Sequence, residues 1–102
     1  MAQTAILGEP ITWVSSGASD TLECYTYDLN HFGGYQLDVD GFNAEDATIT
    51  VYTRSGAEKV LDLDSKPKPG EVGLFGDGAA LSRIVISGIA AGSYPLTISK
   101  AF

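Results

Sequence analysis

Hydrophobic and polar residues alternate in short runs along this chain. Residues 35–40 form the clearest run, with Tyr35, Leu37 and Val39 at every second position and polar residues between them. A period of two is typical of a strand with one face in the core and one in water. Residues 48–53 are dense in β-branched and aromatic side chains, which also favour a strand. No segment shows the apolar stripe of an amphipathic helix.

Turn-forming residues separate these runs into about seven or eight short strands. We expect strands at residues 11–14, 21–27, 35–40, 48–53, 60–64, 81–87 and 93–100, with a weaker one within 71–75. Pro95 predicts that the last strand is an edge strand or carries a bulge, because proline has no backbone N–H for a ladder. Strands in series without intervening helices pair mainly antiparallel. The pattern predicts an all-β fold, an antiparallel β-sandwich of the immunoglobulin-like or jelly-roll-like kind.

Residues 43–46 depart from the strand pattern and predict a single helical turn. Asn43 can cap its first N–H groups, and Glu45 and Asp46 suit its positive end. Two prolines make residues 65–70 a loop.

The length of 102 residues fits a single domain. We assign residues 11–102 to one β-sandwich domain and residues 1–10 to an N-terminal arm. The arm is short and mildly apolar, which suits a strand added to a neighbouring subunit; a frayed terminus is the alternative. Its start has neither a basic region nor a long apolar run, so we expect no signal peptide. We therefore expect the protein in the cytoplasm unless it leaves inside a larger particle.

The chain is acidic, with 6 Lys and Arg against 13 Asp and Glu and a net charge of −7. Such a surface repels phosphate backbones and anionic lipids, so neither nucleic acid nor a membrane is an expected partner. No stretch approaches the ~20 apolar residues of a membrane span. The alternative interpretation is that the charge only keeps the domain soluble.

Titratable and nucleophilic residues form no catalytic motif. His31 is the only histidine, so no metal-binding pair and no defined Ser-His-Asp triad can be assigned, and we expect a surface loop residue. Cys24 is the only cysteine and shares a strand face with Leu22, which predicts a buried small hydrophobe rather than a reactive thiol. We expect no enzymatic activity and no cofactor.

The acidic residues after the third predicted strand allow a calcium hypothesis. Asp38 and Asp40 share a strand face, and Asn43, Glu45 and Asp46 follow closely. An EF-hand loop needs glycine at its sixth position and glutamate at its twelfth. Here glycine is fourth and isoleucine is twelfth. A solvated acidic face is the alternative, and we assign no metal site.

Aromatic residues are the candidates for partner binding. Tyr25, Tyr27, Tyr52 and Trp13 could anchor a protein or stack on sugar rings if a sheet exposes them. Packing of the same side chains in the core is the alternative. With the apolar residues of the arm, the candidate partner-binding set is Ile6, Leu7, Trp13, Tyr25, Tyr27 and Tyr52. Tyr94 follows a glycine turn, which suits a structural hydrogen bond across that corner.

Parts of the chain resemble small all-β proteins of tailed-bacteriophage particles. Residues 34–42 and 47–52 carry a tyrosine, alternating apolar residues, a glycine with an aromatic, and an Ala-Thr-Ile-Thr run. Residues 83–88 and 92–98 fit the end of the same pattern, and equally resemble the closing hairpin of immunoglobulin-like modules. The likeness spans roughly residues 21–100. The Pro-Lys-Pro loop at 67–69 and the acidic run at 38–46 do not match it.

The resemblance implies a virion structural protein, either a capsid decoration (cement) protein or a related head or tail accessory. Such a protein binds the assembled shell, has the major capsid protein or other virion proteins as partners, and forms homo-oligomers, often trimers. Its location would be the virion, after synthesis in the host cytoplasm. The alternative is a non-catalytic β-sandwich module that binds glycans or proteins.

Overall fold

The fold is a sandwich of two β-sheets, seen in a computed structural model that describes residues 3–25, 34–41, 43–67, 73–75 and 81–101. The strands of these segments are β1 (Gln3–Ile6), β2 (Ile11–Ser15), β3 (Ser19–Tyr25), β4 (Tyr35–Val39), β5 (Thr48–Thr53), β6 (Glu58–Val60), β7 (Gly73–Phe75), β8 (Leu81–Ser87) and β9 (Gly92–Lys100). One 3₁₀ turn, Ala44–Asp46, precedes β5. Its cap is Asn43, whose side chain accepts from the Glu45 N–H, so the predicted helical turn is confirmed.

The strand order identifies the sandwich as a jelly roll. The front sheet has the order β1-β3-β8-β5-β6, and the back sheet has β2-β9-β4-β7. Four antiparallel pairs are nested within one another along the chain: β2 with β9, β3 with β8, β4 with β7, and β5 with β6. A long hairpin folded over into two sheets produces this nesting, which is the jelly-roll arrangement. The predicted antiparallel sandwich is confirmed, and the pairing selects the jelly-roll alternative.

The first strand is an addition to the eight-stranded jelly roll. Gln3–Ile6 pairs with β3 in parallel, and Ala5 is buried in the core. The sequence pattern predicted no strand here, since four residues are too few to show a clear alternation. Residues 3–6 of the expected arm therefore lie against their own sandwich, and exchange of the arm with a neighbour stays a prediction.

The core lies between the two sheets and follows the predicted alternation. In β4, Tyr35 and Leu37 are buried while Asp38 is exposed. Cys24 is buried as predicted. No helix in the described segments is long and apolar enough to cross a bilayer.

Pro95 lies in β9, which is an interior strand with β2 on one side and β4 on the other, so the predicted edge position is wrong. Its pairing with Thr12 of β2 shows no register shift. The ladder between β9 and β4 ends at Leu96, one residue before Pro95 is reached. The Pro95 carbonyl accepts from the Asp40 N–H on that side. The backbone N and O of one strand residue point toward the same neighbouring strand, so the Pro95 nitrogen also faces β4. Because Pro95 lies just beyond the end of the β9–β4 ladder, its missing N–H removes no hydrogen bond from that ladder.

Candidate functional site

The outer face of the front sheet carries one row of large and charged side chains. In β5, Ile49 and Val51 are buried, so Tyr52 lies on the opposite, outer face. The register aligns Tyr52 with Arg83 of β8, and Arg83 with Glu23 of β3. On its other side Tyr52 pairs with Glu58 of β6. These four residues, Glu23, Arg83, Tyr52 and Glu58, are called the Tyr52 row below.

Arg83 and Tyr52 form a stacked pair at the centre of this row. The guanidinium carbon of Arg83 lies 4.1 Å from the centroid of the Tyr52 ring, a cation–π contact. Tyr52 pairs with Arg83, whereas Thr53 pairs with Leu81, so β8 has an extra residue opposite this step. A bulge of this kind bends a strand and redirects its side chains. Although Arg83 is the register partner of Glu23, the two make no ion pair within the described part of the chain.

Two further rows of the outer face consist of uncharged Thr, Ser and Val residues. Next to the Tyr52 row, Thr21, Val85, Thr50 and Val60 form a second row across four strands. A third row contains Ser19, Ser87 and Thr48. In these three rows the charges are those of Glu23, Arg83 and Glu58, so the face is nearly neutral in a chain of net charge −7.

The structure makes two of the predicted partner-binding residues, Ile6 and Tyr25, cross-strand neighbours and places the other described ones elsewhere. Trp13 is fully buried and its ring lies 5.9 Å from that of Tyr94, so it belongs to the core and reaches no surface. Tyr52 is half-buried on the outer face. Tyr25 ends β3 and pairs with Ile6 of β1. Tyr27, predicted to bind a partner, and His31, predicted to be a surface loop residue, lie outside the described residues. Ile6 and Leu7 are half-buried at the start of the chain.

The calcium candidates do not form a cluster. Among the residues that the structure describes, no group of three or more His, Cys, Asp or Glu side chains could hold a metal ion. The side-chain oxygen of Asn43 accepts a 3.1 Å hydrogen bond from the Glu45 N–H. Asp38, Asp40, Glu45 and Asp46 are all exposed, as a solvated acidic surface requires.

The jelly roll collects the acidic loops at one end of the sandwich. The β2–β3, β4–β5, β6–β7 and β8–β9 connections share this end, and Lys66 donates to the carbonyl of Ala47 across two of them at 2.6 Å. Its exposed acidic residues among those described are Asp40, Glu45, Asp46, Asp62 and Asp64. We call it the acidic end. Arg54 and Lys100 lie at the opposite end together with Glu9, so among the described residues the negative charge is concentrated at the acidic end.

A buried carboxylate that the sequence pattern did not reveal organises the acidic end. Asp20 is 4% exposed and accepts from the N–H of Ser16 at 3.0 Å and from its hydroxyl at 3.2 Å. The neighbouring Ser15 hydroxyl donates to the Ile89 carbonyl at 3.0 Å. These bonds tie the β2–β3 and β8–β9 turns together. The signal in the sequence was the Ser-Ser-Gly turn followed closely by an aspartate, which is a common side-chain-to-backbone turn pattern.

The buried Cys24 thiol is chemically unreactive in the folded protein. Burial raises the pKa of the Cys24 thiol to about 12, with a further increase from nearby Glu23 and a partial decrease from Arg54. Because the thiolate is the reactive form, the folded protein keeps this thiol protonated and unreactive at neutral pH.

Described residues pack against two edge strands of the sandwich, β2 and β7. On one side the Gln3 side chain donates to the Val14 carbonyl at 2.6 Å and accepts from the Val14 N–H at 2.8 Å, which occupies the free edge of β2. On the other side Pro67 is fully buried against Gly73 of β7. The Gln3 amide satisfies both Val14 backbone groups on this edge of β2, which discourages strand pairing with another chain at that point.

Comparison of the chain with models of known protein families gave no match, and comparison with curated proteins gave none either.

Proposed function

We propose that this chain is a virion structural protein, a capsid decoration protein that binds an assembled shell. The observation that carries the proposal is the jelly-roll strand order. Jelly rolls are a recurrent architecture of viral capsid and lectin domains. The likeness of residues 21–100 to small phage particle proteins supports the same proposal.

Two hollows lined by described residues also favour a macromolecular partner. A groove bordered by Gln3, Val14, Ser16 and Asp20 encloses about 250 Å³. A second hollow beside Asp38 and Pro95 encloses about 50 Å³. Both are smaller than the ~300–1,000 Å³ typical of small-molecule sites. The outer face of the front sheet suits contact with another protein better than these two hollows suit a small molecule.

A second candidate is a non-catalytic module that binds glycans or proteins. The half-buried Tyr52 favours it, since a partly exposed aromatic ring on a sheet face can stack on a sugar or enter a protein pocket. Jelly rolls include lectin domains, so the fold serves both candidates.

Particle association tests the proposal. An antibody raised against the purified domain is used to probe a density gradient of particles from cells that make the chain. A decoration protein co-migrates with the particles at a fixed ratio to the major shell protein. If the chain stays at the top of the gradient and the pure domain binds glycans on an array, the second candidate replaces the first.

A further inference from the structure

We propose that the outer face of the front sheet is a self-association surface, on which two copies of this chain meet with Arg83 of each opposite Glu23 of the other. The inference deepens the proposed function, on which its role in a particle rests, by naming the surface through which copies contact one another.

The charged side chains of Arg83 and Glu23 in the Tyr52 row are the first support for this surface. Arg83 stacks on Tyr52 and makes no ion pair with Glu23 in the described part of the chain, although the two residues are cross-strand neighbours. A stacked guanidinium still presents N–H donors along its edge, in the fork that matches a carboxylate. Glu23 is likewise without an ion pair to its cross-strand cation in that part of the chain. A second copy supplies the missing partner for both residues.

The strand register selects the geometry. A twofold axis parallel to the strands and midway between β3 and β8 places β3 of one copy over β8 of the other. Both Arg83–Glu23 pairs then form at once, as a closed dimer requires. Moving the axis by one strand, between β8 and β5, would instead set Glu23 against Glu58 of the second copy. An axis along the row would set Arg83 against its own copy.

Neighbouring positions are compatible with the same axis. In the second row it sets Thr21 opposite Val85 of the other copy, two residues of similar size. Tyr52 comes to lie opposite Thr4 on β1, which is the register neighbour of Glu23. Glu58 lies on β6, beyond the overlap of the two faces. The contact therefore contains no unpaired like charges.

The size of the face indicates a weak contact. Four overlapping strands spaced about 4.8 Å apart and roughly 20 Å long cover on the order of 400 Å² per copy. Stable complexes usually bury about 800 Å² per partner. The axis also brings both acidic ends to one side, where their repulsion is screened over about 8 Å at physiological salt. A contact of this strength becomes effective when a particle holds many copies in place.

The test is sedimentation velocity of the full chain from 10 µM to 1 mM, using reversal of each charge. We expect a reversible dimer of the wild type, and an increase in the dissociation constant of about tenfold for Glu23→Arg or Arg83→Glu. The double variant restores association to within about threefold. So does an equimolar mixture of the two single variants, because every cross-pair is again opposite in sign.

Two matched controls make the same charge changes elsewhere. Glu58→Arg alters the Tyr52 row outside the overlap, and Lys59→Glu alters an exposed position on the same strand. Both should dimerise like the wild type. Thermal melting verifies that each variant is folded. If a charge reversal at Glu23 or Arg83 prevents folding, Glu23→Gln or Arg83→Gln is used in its place.

The inference is overturned by a wild type that stays monomeric at 1 mM, by a double variant as weak as the single ones, or by Glu58→Arg weakening the dimer as much as Glu23→Arg. Particle association is scored separately by the density gradient. A monomer that co-migrates with particles refutes the dimer alone, and a dimer that never does so refutes the proposed function alone.

Discussion

The hydroxyl of Tyr94 donates a 2.8 Å hydrogen bond to the carbonyl of Ala90, four residues earlier in the chain. This bond spans the turn between β8 and β9, as the glycine turn before Tyr94 predicted. The Tyr94 ring also packs beside Trp13 and fills the space above Gly41 and Gly92, where an added Cβ would lie 3.1 and 3.3 Å from Tyr94 atoms. Tyr94 thus joins the acidic end to the core.

Removing that hydroxyl should lower stability modestly. Tyr94→Phe is expected to reduce the free energy of unfolding by about 1 kcal/mol, since one intramolecular hydrogen bond is lost. Tyr94→Ala should cost about 2 kcal/mol, because the half-buried ring is lost as well. Urea denaturation measures both. Tyr52→Phe is the matched control and should change stability by less than about 0.5 kcal/mol; an equal loss there would show that the Ala90 bond contributes nothing specific.

Gly73 should tolerate no side chain. A Cβ at this position would lie 2.5 Å from the Ser65 carbonyl oxygen and 2.6 Å from the Pro67 nitrogen, both backbone atoms that cannot rotate away. We expect Gly73→Ala to cost about 3 kcal/mol or more. Gly56→Ala is the comparison, with nothing within 4 Å of its added Cβ but a φ of +93°. Its cost should be about 1 kcal/mol, and a Gly73 variant as stable as this one would contradict the close packing of residues 65–67 on β7.

The amide of Gln3 should protect the edge of β2. Gln3→Ala removes both hydrogen bonds to the Val14 backbone and should speed hydrogen exchange of the Val14 amide by about tenfold, as NMR can measure. Gln3→Glu keeps the acceptor for the Val14 N–H and should retain most of the protection. Thr12→Ala, on the outer face of β2, is the control. Unchanged exchange in Gln3→Ala would mean that the edge is closed by other contacts.

The Cys24 thiol should couple stability to alkaline pH. Its pKa of about 12 in the folded state lies above the ordinary value of 9.0. The unfolded chain therefore loses this proton first, so the contribution of Cys24 is fully present below pH 9 and falls between pH 9 and 12, by at most about 1.4 kcal/mol per pH unit.

Two measurements test the coupling. The difference in unfolding free energy between wild type and Cys24→Ala should shrink as the pH rises from 8 to 10. A thiol reagent at pH 8 should react with Cys24 only after urea is added. Fast labelling of the folded protein would contradict the burial of this side chain.

Several elements were predictable because their causes are local. The alternation around Leu37 and the β-branched run around Val51 specify β4 and β5 within five or six residues. The Asn43 cap accepts a hydrogen bond from an N–H that is only two residues away. In contrast, residues 60–64 were expected to form a strand, but β6 is Glu58–Val60. The register with β5, which aligns Val60 with Thr50, sets those bounds.

The sequence by itself determined that this chain is all-β, where most strands lie and that Cys24 is buried, since a period of two and turn residues act over a few positions. Only the tertiary structure decided that the sandwich is a jelly roll, because the nested pairs join strands that are far apart in the chain, as Trp13 and Tyr94 are. The same long-range pairing collects the acidic loops at one end and aligns Glu23, Arg83 and Tyr52 from three separate strands. A candidate surface of this kind depends on register between distant segments, which no local pattern encodes.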